Sequence, residues 1–533
     1  MMNSSATIFT QQKFSLNNDL LWRILDINAN MYHKSEEEIP ALTTLRLTSQ
    51  VSASWRELAI SAASLWGSVI NLNHLNQKKG HWRDEVLKRS KLSLLCVKGK
   101  TGSSLQSAEF FASILTDHWH RIRILDLEKS GNIEYIGVQV LITLFSRSAP
   151  FLENFTVPTL YSRPGSAPLI DDAFRIFSDN APFLRNFKHF TVMPSHIHAP
   201  WMSQLRRLVL IQPISAHKFI GALSSMSLLE SLTATCHLIK DSRMNPLPVV
   251  TVSRLNQLYF NCNLATSTEW IHILSKITPA TDCSLRFVFH LSNREAQLTA
   301  TDMALAMSLL SNYSQRHFNT CKALSVGLLI KPTSIILLDT EKIAFSKDDV
   351  GLDRFEFSLS QSSPFPSRAS PSVLESIGQC HWNSVETLKL SIEDPIGPSD
   401  INFIKFVSSL ISLTSLTVWP RTLQLLSRIP THLVSTLFPC LQDLCYITEE
   451  AQQSDSVILK PFLKLRKKVG RPISVLYLGG DYIQNQDFRF LDVYHDLTVV
   501  WWFYDEWQER DQRMEYRCGS GKPGVLDFAS KKR

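Results

Sequence analysis

Glycine is scarce in this chain, with 18 among 533 residues. No Gly-x-Gly-x-x-Gly run and no Walker loop occurs, so the backbone cradles that hold dinucleotides or triphosphates are missing. Gly479-Gly480-Asp481 follows an apolar run but lacks the Lys-Ser/Thr pair that grips phosphate and magnesium. No Gly-x-Ser-x-Gly elbow is present to raise a nucleophilic serine. The nine cysteines are scattered; Cys440 and Cys445 are the closest pair, with no second pair beside them to complete a zinc site. Long apolar runs are also lacking. The most hydrophobic patch, Leu497 to Tyr504, falls far short of the ~20 residues that span a bilayer. MMNSSATIFTQQKF at the N-terminus has neither the basic start nor the apolar centre of a secretion signal. The expectation is a protein with reduced cysteines and no membrane partner, located in cytoplasm and/or nucleus.

What is present describes a folded chain: 44% hydrophobic and 19% charged residues, with a net charge of +7 spread along the length. The densest basic stretch, Lys78 to Lys91, is interrupted by Asp84 and Glu85 and carries Trp82, Val86 and Leu87, which reads as a solvated helix face. No basic–aromatic module points to nucleic acid. The terminal Lys531-Lys532-Arg533 is weak support for nuclear import. Groups that might do chemistry stand alone. His118-x-His120 and His196-x-His198 place two rings on one face of a strand, but neither pair has an acid or thiol at a spacing that completes a metal site. Cys380 and His381 are adjacent, a spacing that seldom aims a base at a nucleophile. Asp171-Asp172 and Asp348-Asp349 fit helix starts or turns. The expectation is a non-catalytic protein without cofactor or metal.

A repeat does stand out. Ala149-Pro150-Phe151-Leu152-Glu153-Asn154-Phe155 and Ala181-Pro182-Phe183-Leu184-Arg185-Asn186-Phe187 agree at six of seven positions, 32 residues apart. Each follows an amphipathic stretch, Tyr135 to Phe145 and Ala173 to Phe177. Looser copies of a Leu-x-x-Leu-x-Leu strand begin at Ile122, Leu205, Leu229, Leu255, Val385, Leu413 and Leu441, and Leu388, Leu416 and Leu444 are each 28 apart. The copy at Leu255 adds Asn263 at the turn. One strand and one helix cannot bury their own leucines, so such units must stack and share a core. Several separate α/β domains with parallel sheets would show the same alternation. Residues 283 to 360 break the rhythm with four strand-like runs around an apolar helix near Met303 to Leu310, read as an elaborated repeat or an insertion. Ser358 to Ser372 reads as a flexible Ser/Pro loop, with Ser363-Pro and Ser370-Pro as candidate phosphorylation sites. Phe462 to Leu478 fits a last helix, turn and strand. The aromatic VVWWFYDEWQER from Val499 fits a cap over the open end of the array, or a docking patch.

The N-terminal region is apolar in a different way. Asn17 and its neighbours offer N-caps ahead of Leu20, Leu21, Ile24 and Leu25, and Leu45, Val51, Trp55 and Leu58 follow at roughly helical spacing. Trp66 lies about three turns after Trp55. Each indole carries ~150–250 Å², or up to ~4–6 kcal/mol at ~25 cal/mol/Å². A segment this short cannot hide both rings alone, so it packs on more of the chain or on a partner. The pattern Leu16, Leu20, Leu21, Ile24, Leu25, a loop from Asp26 to Ala41, then Leu45, Val51, Trp55-Arg56-x-Leu58-Ala59 and Leu65-Trp66 resembles an F-box. With the repeats, it is most similar to the F-box proteins with irregular leucine-rich repeats that are numerous in mushroom-forming fungi. The family's proline is Asn17 here, and its cysteine after the valine is Ser52.

The resemblance implies a small all-α unit followed by an irregular leucine-rich-repeat-like α/β solenoid. It also implies a substrate-recognition adaptor of a Skp-cullin-F-box type ubiquitin ligase. Leu16, Asn17, Leu20, Leu21, Ile24, Leu25, Leu45, Val51, Trp55, Leu58, Leu65 and Trp66 would meet a Skp-type adaptor, and through it a cullin-RING ligase. An unidentified protein substrate would sit on the repeats. The organisation expected is 14–70 helical unit, 71–97 linker helix and first strand, 98–282 first repeats, 283–372 strand-rich elaboration, 373–480 second repeats, and 481–533 aromatic cap and basic tail. A repeat scaffold that no longer joins a ligase, and an enzyme in the central region, are the competing readings.

Overall fold

The computed structural model describes residues 17–31, 39–75, 80–101, 104–128, 138–157, 175–189, 199–211, 214–235, 238–239, 246–265, 268–291, 297–339, 355–366, 368–434, 436–448, 455–480, 483, 486–505 and 510–529. They belong to two compact units, Met1–Gln212 and Pro213–Arg533.

The first unit opens with four helices, α1 (Asn18–Asn28), α2 (Ala41–Thr48), α3 (Ala53–Ser61) and α4 (Ala63–Gly67). Then follow β1 (Ile70–Asn71), α5 (Leu72–Leu75), α6 (His81–Arg89), β2 (Leu95–Gly99), α7 (Leu105–His118), β3 (Ile122–Leu127), α8 (Val138–Phe145), β4 (Asn154–Val157), β5 (Asn186–His189) and β6 (Arg207–Leu210). The strands lie parallel in chain order. Leu125, Phe155, Phe187 and Leu208 fall in one register row and are all buried, so each strand contributes an equivalent side chain to one shared core. The 32-residue match is one step across this sheet. Asn186 Nδ2 donates to Asn154 Oδ1 across the pair, and Arg185 N–H donates to Glu153 O at 2.8 Å. Phenylalanine replaces leucine in the core here, with the Phe155 and Phe187 rings stacked at 5.8 Å.

Three local expectations change. Among the described residues before β5, a 3-10 turn, Ile176–Asp179, covers the end of the amphipathic stretch Ala173 to Phe177. The first strand, expected to end by residue 97, is β2 and runs on to Gly99, while Leu92 ahead of it is 87% exposed. His118 closes α7 while His120 lies in the following 3-10 turn, so the two do not share a strand face.

The second unit begins with β7 (Ile214–Ser215), α9 (Ala216–Ser224), β8 (Ser231–Ala234), β9 (Leu238–Ile239), β10 (Val250–Thr251), β11 (Gln257–Ala265), α10 (Glu269–Ser275), β12 (Ile277–Thr278) and β13 (Ser284–Leu291). It continues with α11 (Ala300–Thr320), β14 (Ser325–Lys331), β15 (Ser334–Asp339), β16 (Glu356–Gln361), α12 (Ala369–Ile377), β17 (Thr387–Ile392), α13 (Ile401–Ser409) and β18 (Ser415–Val418). It ends with α14 (Pro420–Ser427), α15 (Thr431–Val434), β19 (Asp443–Ile447), α16 (Asp455–Lys468), β20 (Val475–Gly479), β21 (Thr498–Asp505) and β22 (Arg510–Arg517). Its main sheet runs β8, β11, β13, β16, β15, β14, β17, β18, β19, β20, β21, β22, parallel except that β15 and β22 are antiparallel to their neighbours. Leu388, Leu416 and Leu444, 28 apart in sequence, are direct register partners and fully buried. This is a mixed α/β, leucine-rich-repeat-like array with a predominantly parallel sheet. The side chain of Asn263 lies outside the described residues.

The strand-rich centre is an elaboration of the same sheet rather than a separate insertion. A tight turn at Pro332-Thr333 sends β15 back antiparallel to β14, and β16 returns beside β13. The Ser/Pro stretch is mostly structured: it completes β16 and starts α12, with Ser370 and Pro371 in the first turn. Ser370 is fully buried and its N–H donates to Asp394 Oδ2 at 3.0 Å, so its hydroxyl is closed to a kinase. At the far end β22 pairs with β21, and its described side chains Arg513, Glu515 and Arg517 are exposed and charged, which discourages further strand addition. Val499, Val500 and Trp501 are buried, with the Trp501 ring 5.1 Å from that of Phe528. The side chains of Phe503, Tyr504 and Trp507 lie outside the described residues.

Arginine ties one repeat to the next. Arg466, 1% exposed, donates to the carbonyls of Leu437, Phe438 and Leu441 at 3.1–3.3 Å. Burial, with a smaller contribution from Arg471, lowers its pKa to about 10, so it stays charged at neutral pH. Arg466→Ala strands three buried carbonyls, and the expected loss is ~2–4 kcal/mol in urea denaturation.

Candidate docking surface

The helices α1 to α3 pack into a small unit whose apolar residues point two ways. Asn17 caps α1, its Oδ1 accepting from Asp19 N–H at 3.0 Å. It thereby starts the helix with its own side chain. Leu21 and Leu25, one turn apart, face inward and are buried. Leu20, Ile24 and Ile27, at i, i+4 and i+7, form a second stripe and are 56%, 39% and 66% exposed. A helix that is apolar on two faces has one face more than its own unit needs.

The remaining helices support that stripe. Leu42, Leu45 and Ala59 fill the interior beneath α1. The helical spacing from Leu45 to Trp55 is broken: α2 ends at Thr48, and Ser52 restarts the chain as the cap of α3, accepting from Trp55 N–H at 3.2 Å. Trp22, Ile39, Leu47, Val51 and Ile60 are also exposed, so among the described residues eight of the twenty-one exposed large apolar side chains lie between residues 20 and 60. That concentration makes this unit the candidate docking surface.

The second tryptophan has another role. Trp66 is fully buried and its Nε1–H donates to Ala59 O at 2.7 Å, joining α4 to α3. Its ring meets Trp82 of α6 edge-on at 6.1 Å, and the Arg89 guanidinium, itself paired with Glu85 at 2.7 Å, lies 4.6 Å above it. Gly67 next to it has no room for a side chain, since a Cβ would approach Leu94 O to 2.4 Å. Trp66 is thus the pin between the helical unit and the start of the sheet.

Of the twelve residues expected to meet an adaptor, Leu20, Ile24 and Val51 are exposed, and Asn17 is exposed at the cap. Trp55 and Leu58 are half-buried. Leu21, Leu25, Leu45, Leu65 and Trp66 are interior, so they hold the surface up rather than form it. Leu16 lies outside the described residues. Trp22, Ile27, Ile39, Leu47 and Ile60 were not in the expected set. Ile27 was readable, since it continues the Leu20–Ile24 spacing by three residues. Asn17→Ala removes the cap, and the expected cost is ~0.5–2 kcal/mol, read as a lower urea midpoint.

Elsewhere the candidate chemistry resolves into packing. Burial raises the Cys380 thiol to about 11, against a weaker lowering by its hydrogen bond with Ser314, which keeps it protonated at neutral pH. His381 N–H is bound to Asn319 Oδ1 at 2.9 Å. Gly480, at φ 102°, lets the chain pass so close to Thr448 that a Cβ would lie 2.1 Å from its carbonyl oxygen. His196, His198, Asp171, Asp172, Asp348, Asp349 and Asp481 lie outside the described residues. Among the described residues no group of three His, Cys, Asp or Glu is placed to hold a metal ion, and no helix is long and apolar enough to cross a membrane.

No family model matches the chain, and no curated protein matches it. A solved structure to which it is similar is that of the leucine-rich repeat-containing protein LegL7 from Legionella pneumophila, at 12% identity, covering 62% of this chain and 94% of that one, with a TM-score of 0.22. At that score the fold is described from this chain's own strand ladders.

Proposed function

We propose that this chain is the substrate receptor of a Skp-cullin-F-box type ubiquitin ligase, with α1 to α3 docking on a Skp-type adaptor and the repeats holding a protein substrate. The observation that carries the reading is the exposed Leu20–Ile24–Ile27 stripe on α1, opposite the buried Leu21 and Leu25. The way the two tryptophans divide supports it. Trp66 is spent inside, whereas Trp55, half-buried on α3, stays available beside Val51. Such a receptor makes and breaks no bonds. It raises the effective concentration of a substrate lysine at the conjugating enzyme and orients it.

The outer face of the second unit's sheet supports the substrate half of the proposal. Arg286 pairs with Glu356 at 2.6 Å and lies 4.9 Å over Tyr259, His290 meets Ser360 at 2.9 Å, and Lys331 meets Glu393 at 2.9 Å. This polar row is one on which a protein surface can be read by charge and hydrogen bonding. The test is co-expression with a fungal Skp-type adaptor, affinity capture and gel filtration. Stoichiometric co-elution is expected. A well-folded chain that elutes without the adaptor overturns the reading and leaves a repeat scaffold.

A further inference from the structure

The last helix of the array carries four lysines that pair with no acid among the described residues. Lys460, Lys464, Lys467 and Lys468 stand on α16 at i, i+4, i+7 and i+8, all exposed, and none forms an ion pair within the described structure. The one acidic residue in the helix, Asp455, sits in its first turn. Acids in the following segment are engaged or apart. Asp487 is held by Arg489 at 2.7 Å, Asp492 accepts from Tyr516 Oη and Gly519 N–H, and exposed Asp496 pairs with none of the lysines.

Two of the lysines are nevertheless fixed. The Lys460 ammonium lies 4.9 Å from the Phe490 ring centre and that of Lys467 lies 5.9 Å from the ring of Tyr494. Ring faces orient a cation without neutralising it, so these ammonium groups are positioned and still able to meet an anion.

We propose that the outward face of α16 docks an acidic peptide segment of a partner protein, independently of the N-terminal surface. Lys460 to Lys468 span ~12 Å at ~1.5 Å per residue, which an extended run of about four residues covers. Carboxylates fit better than the other polyanions. A lysine already lies over each of the two neighbouring rings, where a base would have to compete with it, and none of the four cations is the arginine fork that grips phosphate in two places. A membrane surface would need apolar anchors, and Val457 alone is a large exposed apolar residue on this helix.

The test titrates the full chain against a short fluorescent oligoglutamate peptide and follows anisotropy at low and physiological salt. Binding should weaken with salt and fall about tenfold or more in K460Q/K464Q/K467Q/K468Q, as the loss of four exposed charge contacts requires. It should be unchanged in K88Q/K91Q/K218Q/K322Q, which removes the same charge from exposed lysines elsewhere. Equal losses in both variants would show that net charge alone binds the peptide and would overturn the proposal. So would no binding to the full chain, or tighter binding of a single-stranded oligonucleotide or of phosphatidylserine vesicles than of the peptide.

Discussion

Leu20→Asp/Ile24→Asp is expected to abolish capture of a Skp-type adaptor while leaving the chain folded. Both side chains are more than a third exposed, so charging them adds no buried charge to the free protein. In a complex the same positions would be covered, and each carboxylate would be driven into an apolar contact without a partner. Central apolar anchors are worth ~2 kcal/mol or more each, so the pair should weaken binding by ~100–1000-fold. Pulldown and calorimetric titration read the loss, and circular dichroism with thermal melting reads the fold. Leu21→Asp would not serve. Leu21 is 2% exposed, and its charged replacement would test the packing of α1 instead of its docking. Unchanged capture by the Leu20/Ile24 variant would remove the stripe from the account.

Trp66→Ala is expected to be the most damaging single substitution in the first unit, at ~3–5 kcal/mol. The indole is fully buried, holds Ala59 O, and supports both Trp82 and the Arg89 guanidinium. Removing it leaves a cavity and an unanswered carbonyl at the junction of α3, α4 and α6. Trp66→Phe keeps most of the volume but loses the Nε1–H bond, so its cost should be clearly smaller. Denaturation curves give the two values, and limited proteolysis locates the opening, expected first between residues 40 and 90. Equal, small losses from both substitutions would contradict the role of Trp66 as a pin.

The repeat rhythm was legible because its cause is local. A buried strand of this kind needs leucine at fixed intervals, and the 28-residue spacing of Leu388, Leu416 and Leu444 became direct register pairing. The Phe155 and Phe187 match became one step across the sheet for the same reason. The antiparallel β15 was not legible as such, since Ile335 to Leu338 reads as a strand whichever way it runs. Its direction depends on pairing with Phe357 and Leu359, contacts that no local pattern carries. The polar β22 escaped because an edge strand bearing charge has no apolar alternation to announce it. At the candidate surface the apolar residues were legible but their sidedness was not. Leu20 and Leu21 are adjacent and chemically alike, and only the packing of α2 and α3 decides that Leu21 turns inward.

Hydrogen exchange of the chain with and without a Skp-type adaptor tests the central claim most directly, because it reports which backbone segments the partner covers. Slowed exchange should be confined to peptides covering α1 to α3, residues 18–28, 41–48 and 53–61. The strands of the second unit should be unaffected. No protection of α1, or protection that falls on the repeats instead, would contradict the account.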